Sequence, residues 1–235
     1  MKKVQAVLTR SSLYLRIEEE GMDGEAWEKL WKEAKAAQRQ KGYQQAYRSM
    51  EAAVKETEGE MLFYQLKVCE GVFHRISSGA TRDGLEVFGK MEKGYLLSVD
   101  SNWDMYGDGY LSGHYFSEEA LREQLEKAYP GLVFTEEPLE KQINMHKRDK
   151  VGHILSLTVG NKTISGEEFR QLLELPSSNF TMQATDRKIR FLCKGQGHGL
   201  GLSQYGGNVL AREGKSYQEI LRYYFPECEV KTKKS

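Results

Sequence analysis

Between Gly197 and Gly207 the chain reads "GHGLGLSQYGG", five glycines set around His198, Ser203, Gln204 and Tyr205. An imidazole, a hydroxyl, a carboxamide and a phenol donate and accept hydrogen bonds without net charge, and bare backbone between them permits close approach. A phosphate cradle, a flexible linker and a tight turn held against a ligand all use such stretches. The cradle fails, because the stretch lacks the Gly-Lys-Ser/Thr ending of a P-loop and its G-x-G-x-x-G matches lie outside any βαβ unit. A sugar polymer fits the remaining groups, since its ring faces take aromatic contact and its hydroxyls take neutral polar partners. Trp103 and Tyr106, in "DSNWDMYGDGYL", have the right types for such a platform and equally suit a core. Composition alone leaves the function open.

Other chemistries find less support. The five histidines, His74, His114, His146, His153 and His198, form neither H-E-x-x-H nor a Cys/His pair, so no metal and no cofactor is expected. "DSNWDMYGDGYL" imitates a calcium loop at Asp100, Asn102 and Asp104, but Met105 stands at the sharp-turn position and Leu111 at the bidentate one. Lys and Arg total 34 and so do Asp and Glu, which gives a formal charge of zero and no global attraction to nucleic acid or an anionic membrane. The last helical segment, "SYQEILRYYF", opens without base-reading Arg or Asn, so two packing helices are expected rather than a DNA-binding pair. Cys69, Cys193 and Cys228 are too few for a disulfide framework and are expected to be buried thiols. Gln5, Arg10 and Arg16 interrupt the apolar start that export would need, and no apolar run is long enough to span a bilayer.

The elements that must position these groups alternate between helical and local strand patterns. Val4, Val7, Leu8, Leu15 and Ile17 form a helical stripe that begins at Met1 without a cap or lead-in strand, which suggests a domain starting upstream. Residues 25–57 read as two helices divided at Gly42, with Trp27, Leu30, Trp31 and Ala34 on one face, Tyr47, Met50 and Val54 on another, and Gly59 as the stop. "EMLFYQLKVCEGVFHRIS" reads as a strand pair split at Glu70-Gly71, and "SEEALREQLEKAYPG" as a helix capped by Ser117. "GHILSLTVGNKTI" predicts a hairpin around Gly160-Asn161, and Ser165 with Glu168 a capping box. "KIRFLCKG" is a strand, followed by the Gly-rich turn, a short helix to Gly214, and a second capping box at Ser216 and Glu219. The whole predicts an α+β fold: a single mixed domain over 1–235 of helices and mostly antiparallel strands, closing with the Gly-rich turn and a C-terminal helix pair.

"GQGHGLGLSQYGGNVLAREGKSYQEILRYYFPECEV" resembles the C-terminal signature of the stage II sporulation protein D family and its LytB-like domain. The likeness continues through "AVKETEGEMLFYQ", "FHRISSGAT" with "EVFG", "YLLSVDSNWD" and "SGEEFRQLLELPSSNFTM", in the family's order, so that nearly the whole chain is covered. "KKVQAVLTRSSLYL" is similar to the family's "LKAQAVAARTYAL" helix and places Arg10 on the family's arginine. Residues of about 22–58 stand as a helical insertion.

The resemblance implies a membrane-anchored lytic transglycosylase that cuts peptidoglycan glycan strands during engulfment in sporulation, at the extracytoplasmic face of the cell envelope. It also implies other engulfment proteins as partners. The family's catalytic glutamate lies in a Glu-Met-Pro motif ahead of the matched helix, so no residue here corresponds to it, and the chain is expected to be N-terminally shortened. Such an acid protonates the glycosidic oxygen and then deprotonates the muramic acid 6-hydroxyl, work worth roughly 10²–10⁴-fold in rate. Glu20, Glu56 and Glu58 sit in charged helical runs and are expected to be solvated surface. Some family members hold zinc through paired Cys and His in the region of "FHRISSGATRDG". Only His74 remains there, so no zinc is expected. By motif position and residue type, Arg10, His74, Ser77, Ser78, His198, Ser203, Gln204 and Tyr205 are expected to line a glycan cleft, with Gly197, Gly199 and Gly201 beside the sugar and Gly206 and Gly207 turning into the next helix. Two functions remain open: a glycan-cleaving member of the family, or a non-catalytic module for glycan binding or complex assembly.

Overall fold

The computed structural model describes residues 1–21, 43–185 and 188–232. In chain order its elements begin with α1 (Lys2–Glu20), α2 (Tyr43–Glu56), β1 (Glu60–Tyr64), β2 (Lys67–Val68), β3 (Phe73–His74) and α3 (Gly84–Phe88). Then come β4 (Leu111–Ser117), α4 (Glu118–Ala128), β5 (Ile143–Arg148), β6 (Ile154–Val159), β7 (Lys162–Ile164), α5 (Gly166–Leu172), β8 (Phe180–Thr185) and β9 (Lys188–Lys194). The chain closes with β10 (Leu202–Ser203), α6 (Gln204–Arg212), α7 (Tyr217–Tyr224) and β11 (Glu229–Thr232). Helices and antiparallel strands mix along the chain, as the α+β reading requires. By its contacts the chain divides into two compact units, Met1–Phe73 with Leu210–Ser235, and His74–Val209.

In the first unit α1 buries Val4, Val7, Leu8 and Ser11, one helical face at i, i+3, i+4 and i+7. Each of its fully buried aliphatic side chains contributes about 1.5–3 kcal/mol. The Ser11 hydroxyl donates to the Val7 carbonyl and accepts the Leu62 amide at 2.8 Å each, so a buried polar atom joins the helix to β1 without being left unsatisfied. The sheet runs β11-β1-β2, all antiparallel, with Leu62 opposite Val230 and Phe63 opposite Val68. Against this sheet α7 starts from the expected capping box, in which Ser216 and Glu219 each take the other's backbone N–H. The first of the two helices expected in 25–57, with Trp27, Leu30, Trp31 and Ala34, lies outside the described residues. The second is α2, whose buried line runs through Ala53 and Thr57 rather than Val54, which is 46% exposed.

Arg10 accounts for that rotation. Its guanidinium donates to the carbonyls of Val54 (3.0 Å) and Thr57 (2.6 Å) at the C-terminal end of α2 and to that of Glu60 (2.8 Å), which opens β1.

The β1–β2 turn lies at Gln65-Leu66 and not at the expected Glu70-Gly71. Both turn residues have positive φ, 47° and 68°. A two-residue turn of that shape matches strand twist but normally takes Asn-Gly, and each L-residue in the left-handed region costs about 1–2 kcal/mol.

In the second unit two three-stranded sheets, β4-β9-β8 and β5-β6-β7, share one core with α4 and α5. Strict alternation along β9 sends Ile189, Phe191 and Cys193 inward. Phe191 meets Phe180 edge to face at 5.4 Å and Phe169 at 5.8 Å, forming the aromatic centre. The hairpin at Gly160-Asn161 is present, and Ser117 and Ser165 cap α4 and α5. At α5 the Glu168 carboxylate takes the Tyr129 hydroxyl at 2.8 Å, so the expected capping partner is used for tertiary packing.

Replacing Gln65-Leu66 by Asn-Gly removes the left-handed penalty. The double variant is expected to raise the melting temperature by roughly 2–6 °C, measured by calorimetry, with Leu66 (86% exposed) offering no packing to lose.

Candidate functional site

The second unit gathers most of the expected polar residues through three loops, 74–82, 100–110 and 195–205, and their common anchor is Asp104. This carboxylate is fully buried. It accepts the Ser77 amide at 2.8 Å on one oxygen and the Ser203 hydroxyl at 2.9 Å on the other. Asp104 belongs to a single 3₁₀ turn, Asn102–Tyr106, so pinning it inward leaves Met105 and Tyr106 in solvent, the latter 81% exposed. The Tyr205 hydroxyl reaches the Tyr106 carbonyl at 3.3 Å, and the Tyr205 amide donates to the Arg75 carbonyl.

The Gly-rich stretch threads between these loops by backbone bonds. Gln196 exchanges hydrogen bonds with Ile76, and the Gly199 carbonyl accepts the Arg82 amide at 2.8 Å. Gly195, Gly197, Gly199 and Gly201 all take positive φ, at every second residue. A Cβ on Gly197 would lie 2.8 Å from the His74 Cβ, and one on Gly199 would lie 2.9 Å from Arg82 Cδ and 3.0 Å from His153 Nε2. At these two positions glycine is required by the protein's own side chains, which corrects the expectation that bare backbone is there for a sugar. Gly206 and Gly207 do not turn the chain into α6 either. The helix already begins at Gln204, and Ser203 caps it by accepting the Gly206 amide at 3.3 Å.

The imidazoles of His74 and His198 meet edge to face with centroids 5.8 Å apart. Leu200 sets both tautomers. Its carbonyl receives His74 Nδ1 at 3.0 Å, so the His74 proton sits on Nδ1 and Nε2 is a bare acceptor. The Leu200 amide donates to His198 Nδ1 at 3.1 Å, so the His198 proton sits on Nε2. His74 is buried and its Nε2 has no hydrogen-bond partner. Burial, then the neighbouring His198, push the His74 pKa down to about 3 against the Leu200 carbonyl, so the ring is neutral at pH 7.

A second knot lies beside it. Arg82 and Asp149 form a buried ion pair at 2.6 Å, and a second Arg82 nitrogen donates to the His198 carbonyl at 3.2 Å. The other Asp149 oxygen accepts the His153 amide at 2.8 Å. The His153 ring sits between Ser178 Oγ, 2.9 Å from Nδ1, and Ser78 Oγ, 3.4 Å from Nε2. Burial, then the charge of Arg82, hold its pKa well below the usual histidine range.

Of the expected cleft residues, the structure therefore brings His74, Ser77, Ser78, His198, Ser203, Gln204 and Tyr205 into one unit, where Ser77 and Ser203 are buried scaffold. Arg10 belongs to the first unit and is spent on carbonyls. Asp104, Arg82, Asp149 and Ser178 were not singled out as site residues. Asp104 was legible only as a failed calcium ligand, and no local pattern announces an ion pair between residues 67 positions apart. A zinc ion of the kind some family members hold does not fit the residues present. His74 Nε2 has a free lone pair, but among the described residues no group of three His, Cys, Asp or Glu side chains could hold a metal.

Fold and site together define an α+β protein organised around a Gly-rich turn that packs on paired neutral histidines. A scan against protein-family models gives no match. Stage II sporulation protein D of Bacillus amyloliquefaciens is 30% identical over 189 residues, 80% of this chain and 52% of that protein. Its namesake of Bacillus subtilis is 28% identical over the same extent. An amidase enhancer of Bacillus subtilis is 42% identical over 50 residues, 21% of this chain and 7% of that protein. The chain is thus similar to stage II sporulation protein D over four fifths of its own length, and spans about half the length of the curated relatives it matches. No helix among the described residues is long and apolar enough to cross a membrane.

Both buried histidines are neutral in the fold and protonate near pH 6.5 when unfolded, so the unfolded state binds more protons as pH falls below that value. Their contribution is complete above about pH 6.5 and is lost on acidification toward the His74 value of about 3, at roughly 1.4 kcal/mol per pH unit for each ring. Denaturant melts between pH 7 and 5, above most carboxylate titration, are expected to show this slope, and His74→Gln to reduce it by about half.

Proposed function

We propose that the chain binds the glycan strands of peptidoglycan through the loops gathered on Asp104, as part of envelope remodelling in sporulation. The observation that carries this reading is the exposed Tyr106 ring, carried on the turn that the buried Asp104 carboxylate anchors, with the Tyr205 hydroxyl bonded to the Tyr106 carbonyl. Sugar rings present C–H faces that rest on an aromatic ring, and their hydroxyls and N-acetyl groups need partners without formal charge. Gln204, half-buried in the first turn of α6, offers a carboxamide that both donates and accepts. The resemblance to the stage II sporulation protein D family supports the same substrate class.

In this reading cleavage is the work of relatives at the envelope that carry the catalytic acid, which has no counterpart among the residues matched here, and other engulfment proteins act as partners. The second reading, a module for glycan binding or complex assembly without cleavage, uses the same surface.

Cosedimentation with purified, peptide-free glycan strands tests binding. The chain is expected to sediment with them, and Tyr106→Ala to weaken binding roughly 3–10-fold with an unchanged melting temperature. Mass analysis of the same mixtures separates the two readings, because 1,6-anhydro ends released by this chain would place an active acid among its own residues.

A further inference from the structure

We propose that Cys69 and Cys228 are a disulfide site that closes the first unit on itself. Their sulfur atoms lie 3.7 Å apart, in contact as thiols. The two residues are held by the same sheet. Cys69 follows β2 and donates its amide to the Leu62 carbonyl on β1, while Cys228 immediately precedes β11, which pairs with the other edge of β1. Both cysteines are thus held by backbone hydrogen bonds, and oxidation requires the 3.7 Å between the sulfurs to close to a bonding distance of about 2.0 Å.

Access is ordered as the chemistry needs. Cys228 is partly exposed and Cys69 buried. In an oxidising compartment the Cys228 thiolate attacks a small-molecule disulfide, forming a mixed disulfide and releasing one thiolate. The Cys69 thiolate then attacks the Cys228 sulfur, forms the Cys69–Cys228 bond and expels the second thiolate. Two protons leave the protein and two electrons pass to the small disulfide. Cys193 stays out of this exchange, since it is fully buried in the second unit and burial pushes its thiol up to about 11.

The bond has a structural use. The first unit is assembled from Met1–Phe73 and Leu210–Ser235, and the cysteines are 159 positions apart. A crosslink over so long a loop restricts the unfolded chain strongly and prevents the C-terminal strand from leaving the sheet.

The 235-residue chain, reduced and then equilibrated with oxidised glutathione, is expected to lose two thiols, to give a linked Cys69–Cys228 peptide by non-reducing mass mapping, and to melt roughly 5–15 °C higher. Cys193→Ser is expected to retain all three results, while Cys69→Ser and Cys228→Ser each lose the linked peptide and the added stability. A bond that includes Cys193, a stable glutathione adduct on Cys228 that never closes, or three intact thiols in folded chain under conditions that oxidise the urea-unfolded chain would each overturn the proposal.

Discussion

A single buried carboxylate fixes the geometry of the second unit's loop surface. Among the described residues the Asp104 carboxylate has no cationic hydrogen-bond partner and accepts from the Ser77 amide and the Ser203 hydroxyl. A buried anion is tolerable only when its oxygens are hydrogen-bonded, and each bond of that kind is worth about 1.5–3 kcal/mol. The donors come from segments 27 and 99 residues away, so neither loop can leave without exposing the cost of the charge. The same bonds determine what faces outward: with Asp104 drawn in, Tyr106 is pushed into solvent, and Ser203 starts α6 with Gln204 and Tyr205 in its first turn.

The Gly-rich stretch is the second consequence. It passes so close to His74, Arg82 and His153 that Gly197 and Gly199 have no room for a side chain. Its backbone in return sets the imidazole tautomers, through the two polar groups of Leu200. The buried Arg82–Asp149 pair stabilises the far side of this arrangement, each partner meeting further hydrogen bonds that offset its desolvation. Around these buried groups the loops expose the Tyr106 ring together with Arg75 and Asp108.

Much of the scaffold was legible because its signals are local. Capping serines 117, 165 and 216, the hairpin at Gly160-Asn161 and the alternation of β9 each follow from residues within a few positions. The Gln65-Leu66 turn was missed because the sheet register imposes positive φ on residues that do not favour it, while Glu70-Gly71 carried the usual turn residues. At the site, the motif marked the right stretch but gave its parts the wrong work. Gly197 and Gly199 accommodate side chains of this chain, and Ser203 is a helix cap before it is anything else. Asp104, Asp149 and the role of Arg10 depend on partners tens of residues away, which no periodicity or spacing records.

The claim on which the account depends is that Asp104 holds the loop surface in place, and it is tested most directly by the paired variants Asp104→Asn and Asp104→Ala in calorimetry with glycan cosedimentation. Asp104→Ala is expected to leave two buried donors unsatisfied, to lower stability by about 2–6 kcal/mol and to abolish glycan binding, while Asp104→Asn, which keeps one acceptor oxygen, falls between it and the unaltered chain. An Asp104→Ala protein that melts and binds glycan as the unaltered chain does would contradict the account.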